Sequence, residues 1–411
     1  MVCKSISNSA RPFNAVKFIL LNLSFRKRIV FNWPAADPYS KQEPLPLADD
    51  HELPSHSAAT KPVTYADAGV DITAGDRAKQ RIKMLARKTF NKQVLSEIGG
   101  FGGLFALDLK KFPDPVLVSS TDGVGTKLKV AFELNIHHTV GADLVNHSVN
   151  DIAVQGATPL FFLDYVATGR LEDDVIETVV RGISEACRAN GCALIGGETA
   201  QMPGFYKDGE YDLAGTIVGC VNRPNIITGA GIEPGDVLLG IPSHGLHTNG
   251  YSLARKLLFK TAGYGAEHYV NELKDKAGAA LMRTHRSYLA IIKKLTAGGP
   301  GTPEQPGIVR GMAHITGGGI TENLPRILPR GLDAVIDLSG WEIPPLFLHL
   351  QQIGRVTQEE MYRTFNMGIG LIVVIPAEQV KRAKAILNRA NEKHFVIGRV
   401  VSRGSRRVVY N

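Results

Sequence analysis

Cysteine is scarce in this chain of 411 residues, with only Cys3, Cys187, Cys192 and Cys220. Four thiols without a Cys-x2-Cys pair form neither a disulfide framework nor a zinc knuckle, which fits buried thiols in a reducing compartment. No Gly-Lys dipeptide occurs, so a Walker A loop is excluded, and no Gly-x-Gly-x-x-Gly fingerprint or Gly-x-Ser-x-Gly elbow is present. His51-Glu52 is followed by His56 at the wrong spacing for a zincin. Ala15 to Phe25 is apolar but broken by Asn22, and nothing approaches the roughly 20 apolar residues of a membrane span. Acids are missing from residues 1–36, which hold Lys4, Arg11, Lys17, Arg26, Lys27 and Arg28; taking those six from the net +8 leaves +2. A nearly neutral body has no basic stripe for a nucleic-acid backbone.

What remains is ordinary soluble-protein material, 44% hydrophobic and 21% charged, with a length for two or three domains. The 43 glycines exceed the usual ~7% and fit many tight, ligand-facing turns. Residues 1–62, rich in proline from Pro34 onward, read as a tail and linker. The basic start could equally be an organelle transit peptide; the tail reading goes with a cytoplasmic protein. Residues 63–228 and 229–411 are expected to be the two folded domains, with the turn-rich stretch 222–234 between them. Helices are expected over 76–95, 141–159, 172–190, 251–262, 278–296, 320–327 and 377–391. Strands are expected over 115–118, 160–166, 192–195, 211–221, 236–241, 332–338 and 369–375, with two short ones at the end and a Gly/Pro-rich loop at 298–307. This alternation gives an α/β (α+β) class.

The strand at 115–118 is expected to break into a turn holding Asp122, Gly123, Gly125 and Lys127. Glycines let backbone N–H groups approach a polyphosphate, Lys127 adds positive charge, and Asp122 suits its metal. Behind it, Asp143, His147, Asn150 and Asp151 fall on one face of the next helix, with Val145, Val149 and Ile152 opposite. No lysine or arginine lies between Thr139 and Pro159, so these acids are aimed at an external cation, with Mg²⁺ carried by a nucleotide the economical candidate.

Asp151-Ile152-Ala153-Val154-Gln155-Gly156-Ala157-Thr158-Pro159 resembles the Asp-x4-Gly-Ala-x-Pro signature of the aminoimidazole ribonucleotide synthetase superfamily. Further matching segments follow in order: 65–72, 99–103, 196–204, His247-Thr248-Asn249-Gly250-Tyr251-Ser252, His314-Ile315-Thr316-Gly317-Gly318-Gly319 and 360–366. The resemblance implies a two-domain fold whose N-terminal halves pair in a homodimer, with ATP bound near that interface. It implies ATP-dependent closure of an imidazole ring in formylglycinamidine ribonucleotide, releasing ADP and phosphate. Rival readings are another ATP-dependent member, such as a thiamine-phosphate kinase, and a nucleotide-binding regulator without turnover; the 247–252 and 361–366 segments favour ring closure.

On this resemblance Asp122 and Asp151 are the expected catalytic, metal-facing pair, with Asp71 and Glu198 as secondary metal candidates. Lys83, Lys127, Gly100, Gly102, Gly123 and Asp143 are expected around ATP, Asp143 standing between ligand and plain helix acid. Asn249, His314, Gly317, Gly318 and Gly319 are expected near the substrate. His247 is expected to transfer a proton, an imidazole being able to donate or accept at neutral pH, whereas His147 reads as a helix-face residue. Gln201 stands where the family has Glu, which removes it as a base or ligand, and Leu246 stands where Pro is common, which is expected to loosen the His247 loop.

Overall fold

The two stretches that the sequence singles out form a strand and a helix packed against it in the computed structural model, which describes residues 62–170, 172–299, 307–402 and 407–411. The N-terminal elements are α1 (Ile72–Arg87), β1 (Pro115–Gly123), α2 (Leu128–Leu134), α3 (His138–Ala153), β2 (Thr158–Thr168), α4 (Asp173–Asn190), β3 (Ala193–Gln201) and β4 (Tyr211–Asn222). Their four strands make a sheet ordered β1-β4-β2-β3. β2 and β3 run parallel through the α4 crossover, while β4 lies antiparallel to both β1 and β2. Helix α4 starts with Asp173 and Asp174 and ends at left-handed Gly191, as its dipole and C-cap demand.

Helices α3 and α4 cover one face of this sheet at very short range. A Cβ on Gly182 would stand 2.0 Å from the carbonyl oxygen of His138, and one on Gly141 would stand 2.1 Å from that of Val179. The helices meet backbone to backbone, and α3 is thereby buried nearly all round, including Asp143, His147, Ser148 and Asn150. Gly182→Ala should push them apart and destabilise the chain by about 1–3 kcal/mol, the usual cost of overpacking, read as a lower urea midpoint. An unchanged midpoint would mean that α3 and α4 are not in this contact.

The second sheet, ordered β12-β9-β11-β5-β10-β8, is drawn from the C-terminal elements. These are β5 (Val237–Pro242), α5 (Tyr251–Arg255), the hairpin β6 (Tyr269–Val270) and β7 (Asp275–Lys276), α6 (Ala277–Met282), α7 (Leu289–Thr296), β8 (Gly311–His314) and α8 (Gly319–Asn323). β9 (Leu332–Ile336), α9 (Pro345–Gly354), α10 (Gln358–Thr364), β10 (Ile369–Ile375), α11 (Val380–Arg389), β11 (Phe395–Ser402) and β12 (Val408–Tyr410) complete it. Every residue of β10 is buried, which explains its unbroken apolar run. No helix among the described residues is long and apolar enough to cross a membrane. The expectations for residues 1–60 and for most of the 298–307 loop lie outside the described residues.

Three differences from the sequence reading bear on function. β1 does not stop at Val118: Ser119–Gly123 continue the ladder opposite Thr216, Gly215 and their neighbours, so Asp122 is a strand residue. Glu198 likewise lies within β3 rather than beyond it. The expected helix 278–296 is two helices, α6 and α7, separated by residues 283–288. Side chains of α3 take the hydrogen bonds that a continuous helix would have used. Asp143 Oδ1 accepts the His285 N–H at 2.6 Å and Asn150 Oδ1 the Tyr288 N–H at 2.8 Å. Asn146 and Asn150 donate to the carbonyls of His285 and Arg286 at 2.7 and 2.9 Å. Asp143, Asn146 and Asn150 follow one helical face, so α3 binds the broken segment along its length.

Candidate active site

Asp122 on β1 and Asp151 on α3 stand at the front of a polar cluster, their side chains 40% and 27% exposed. Asp122 accepts the Gly123 N–H on Oδ1 at 2.7 Å and meets His147 Nε2 through Oδ2 at 2.8 Å. Asp151 accepts from His314 Nδ1 at 2.8 Å and from the Ser120 hydroxyl at 3.1 Å. Burial pushes both carboxyls up, but the hydrogen bonds and nearby imidazoles outweigh it and hold both below the usual carboxylate range. Two charged carboxylates on neighbouring elements can receive a divalent cation.

Histidines form the rows behind. His147 and His314 touch the carboxylates; His285 lies behind His314, with Nε2 to Nε2 at 3.0 Å. His247 is deeper still, its ring stacked on His285 with centroids 3.9 Å apart. It is fully buried, adopts a left-handed φ of 62°, and its Nε2 accepts the N–H of His244 at 3.0 Å. Two rings, His285 and His314, thus lie between His247, the residue expected to transfer a proton, and the open carboxylate of Asp151. Burial also lowers the pKa of His247 well below that of a free imidazole and keeps it neutral. Leu246 is buried in the core and anchors this loop rather than loosening it. His147 is not a solvated helix-face residue but a buried partner of Asp122.

Lys127 and Asp143 also depart from their expected places around a phosphate. Both side chains are fully buried and pair with each other at 2.7 Å. Lys127 Nζ also donates to the Arg283 carbonyl at 2.8 Å. Turned inward, Lys127 has no charge to offer a triphosphate. Gly123 ends β1 directly beside Asp122, opposite Ala214.

The remaining candidates gather in two further places. A cavity of about 600 Å³ is lined by Lys83, Gly100, Gly102, Asp164 and Glu198, among others. Along the sheet, Asp122 pairs with Gly215, Gly215 with Asp164 and Asp164 with Gly197. Three strand spacings make about 14 Å, far beyond metal–ligand bonds of roughly 2 Å. Glu198 therefore cannot share an ion with Asp122 and Asp151 in one chain. Asp71 is held elsewhere, by Gln201: its N–H donates to Gln201 Oε1 at 3.2 Å, and Gln201 Nε2 donates to its carbonyl at 3.0 Å. A glutamate could make only the first bond. In the third place, Asn249 Oδ1 lies 3.1 Å from where a Cβ on Gly317 would stand, and Gly318 and Gly319 take φ of 92° and 56° before α8. Asn249 and the triple glycine thus face each other.

Family models match on both sides of the turn-rich stretch: the AIR synthase related protein N-terminal domain over residues 107–221 and its C-terminal domain over 233–411. A phosphoribosylformylglycinamidine cyclo-ligase of Alkaliphilus metalliredigens is 49% identical over 347 residues, covering 84% of this chain and 97% of the relative. One from Methylobacillus flagellatus is 53% identical over 344 residues, covering 84% and 96%. The chain belongs to the AIR synthase family. Among solved structures, the fold is shared with the thiamine-monophosphate kinase of Stenotrophomonas maltophilia, at a TM-score of 0.58 and 17% identity over 82% of this chain and 96% of that one. It is shared too with hydrogenase maturation protein HypE in complex with ATP, at 0.55 and 20% over 79% and 88%. These two likenesses concern the mixed α/β fold alone.

Within this chain, sequence reasoning missed His285 and misplaced His147. A signal for the first was present: Arg283-Thr284-His285-Arg286-Ser287 are five polar residues in a row, which no amphipathic helix packed on a core contains.

Proposed function

We propose that this chain closes the imidazole ring of formylglycinamidine ribonucleotide at the expense of ATP, the reaction that the name of its cyclo-ligase relatives denotes. The formyl oxygen is a poor leaving group, so it takes the γ-phosphoryl group of ATP, releasing ADP. The amidine nitrogen attacks the formyl carbon, and the C–O bond breaks with phosphate as the leaving group and loss of a proton from nitrogen. The protein's work is positioning and charge neutralisation. Asp122 and Asp151 would hold the divalent cation that accompanies ATP; their residual exposure and retained charge fit Mg²⁺, which takes one or two carboxylates and keeps waters. When bound, the cation neutralises charge on the transferring phosphoryl group.

Lys83 and the glycines of residues 99–103 are assigned to the nucleotide, because they line one cavity with backbone free of side chains. Asn249 and Gly317–Gly319 are assigned to the substrate. His314 keeps Asp151 oriented, and His247 positions His285 from behind. The observation that carries the reading is the pair of partly exposed carboxylates, Asp122 and Asp151, on neighbouring elements, in a chain that spans nearly the full length of its cyclo-ligase relatives. Pairing into a homodimer through the N-terminal sheet is supported by the face that α3 and α4 leave uncovered, where Leu117 and Tyr165 stand exposed. Sedimentation of the chain as a monomer would remove that part.

The deciding experiment supplies formylglycinamidine ribonucleotide and ATP to the purified chain and follows aminoimidazole ribonucleotide and phosphate together. Equal amounts of each are expected. Phosphorylation of thiamine monophosphate in their place, or no ADP from either substrate, would overturn the assignment.

A further inference from the structure

The segment 362–368, from the last turn of α10 to the start of β10, touches both loops assigned to the substrate and belongs to neither. Gly250, next to Asn249, seats the Phe365 ring: a Cβ there would stand 2.4 Å from it. Gly319 seats the other side, where a Cβ would stand 2.1 Å from the Tyr362 carbonyl oxygen and 2.7 Å from that of Phe365. Thr321 Oγ1 also donates to the Tyr362 carbonyl, at 3.1 Å. Tyr362 and Phe365 are buried, so neither side chain is open to a ligand. Asn366, buried as well, ties the segment down. Its Oδ1 accepts the Gly368 N–H at 2.8 Å and stands 2.9 Å from the Ser243 hydroxyl, while Nδ2 donates to the Gly245 carbonyl at 2.9 Å. The Ser243 N–H closes the link by donating to the Gly368 carbonyl at 2.9 Å. Asn249 lies on the same loop as Ser243 and Gly245, its Oδ1 against Gly317.

We propose that Asn366 is a positioning residue for ring closure: it clips the segment 362–368 to the 243–250 loop, so that Asn249 and the triple glycine are held at the separation one substrate molecule needs. The inference rests on the assignment of Asn249, Gly317, Gly318 and Gly319 to the substrate, and adds what orients them. Two loops already fixed in the binding geometry need not be ordered when the substrate arrives. The position calls for an amide, which accepts at one end of the link and donates at the other; neither a carboxylate nor an apolar side chain does both. In Asn366→Asp the outline is kept and the contacts to Gly368 and Ser243 survive, but a carboxylate oxygen faces the Gly245 carbonyl where the amide donated. The loop relieves that repulsion by turning its carbonyl away, and the substrate must then draw it back. A residue serving stability alone would leave the affinities of the folded chain unchanged.

The test compares the full chain with its Asn366→Asp variant. KM for formylglycinamidine ribonucleotide should rise about tenfold, the scale of one buried acceptor losing its donor, while KM for ATP, whose cavity is lined by residues between Lys79 and Thr199, stays within about twofold. Amide exchange without ligand, followed by mass spectrometry, should quicken over both 243–250 and 316–321. If Asn366→Asp folds poorly, Thr321→Val tests the clip from its other end. It removes the bonds to the Tyr362 carbonyl and the Tyr410 hydroxyl, and the same two stretches should quicken. Faster exchange in one stretch alone, an unchanged substrate KM, or an equal rise in both KM values would each overturn the proposal. Faster exchange over both stretches in variants of a chain that closes no ring would keep the clip and sink the functional reading. Ring closure by the parent chain, with parental exchange in both variants, would do the opposite.

Discussion

Asp122→Asn and Asp151→Asn are each expected to lower ATP-dependent ring closure at least about a hundredfold, the scale of removing one preorganised electrostatic contact to a developing charge. Both variants should fold. In Asp122→Asn, the amide oxygen still accepts the Gly123 N–H, and the amide nitrogen can donate to Nε2 of a neutral His147. In Asp151→Asn, the oxygen still takes His314 Nδ1–H, while the Ser120 hydroxyl, which donates to the carboxylate, rotates to accept instead. Partial exposure limits the desolvation cost, so unfolding free energies should stay within about 1 kcal/mol of the parent chain. What is lost is one negative charge facing the open side. Initial rates of phosphate release at saturating ATP, paired with urea melts, separate the two effects. Near-parental rates in either variant would remove that carboxylate from the chemistry. A large fall in stability would mean that the pair is structural.

Asp122 and Asp151 are legible as a pair because strand and helix periodicity place both acids beside one turn, without a basic residue on the helix to neutralise them. Lys127 misleads for a related reason. Its sequence neighbours Gly125 and Thr126 look like a phosphate-binding turn, but a short 3-10 turn at Gly125–Lys127 swings the side chain inward, toward an acid 16 positions later. Local spacing carries no information about such a partner. His285 is hidden because the segment holding it is extended by side chains of α3, more than 130 residues earlier. The alternation of helices and strands reveals the class, but not that β4 returns antiparallel between β1 and β2. That strand helps to put three strand spacings, about 14 Å, between Asp122 and Gly197 beside the secondary metal candidate Glu198 within one chain.

Lys127→Met is expected to cost about 3–5 kcal/mol of stability, the usual result of removing one partner from a buried ion pair. Burial pushes the Lys127 ammonium down and the Asp143 carboxyl up, against the attraction between them, so each charge depends on the other. Without the lysine, the buried Asp143 carboxylate still accepts the His285 N–H but has lost its counterion. Asp143→Asn alone strands the ammonium with the Arg283 and His247 carbonyls and the face of Tyr251, and should cost a similar amount. The double variant Lys127→Met with Asp143→Asn should recover much of the loss, since the substituted amide still accepts the His285 N–H and no charge is left without a counterion. A double-mutant cycle by urea unfolding should therefore give a coupling of about 0.5–3 kcal/mol. Because the same carboxylate holds the segment between α6 and α7, amide exchange at His285 should quicken in Lys127→Met and return toward the parent rate in the double variant. Strict additivity of the two losses would show that the charges do not sense each other, and Lys127 would again be available as a ligand for phosphate.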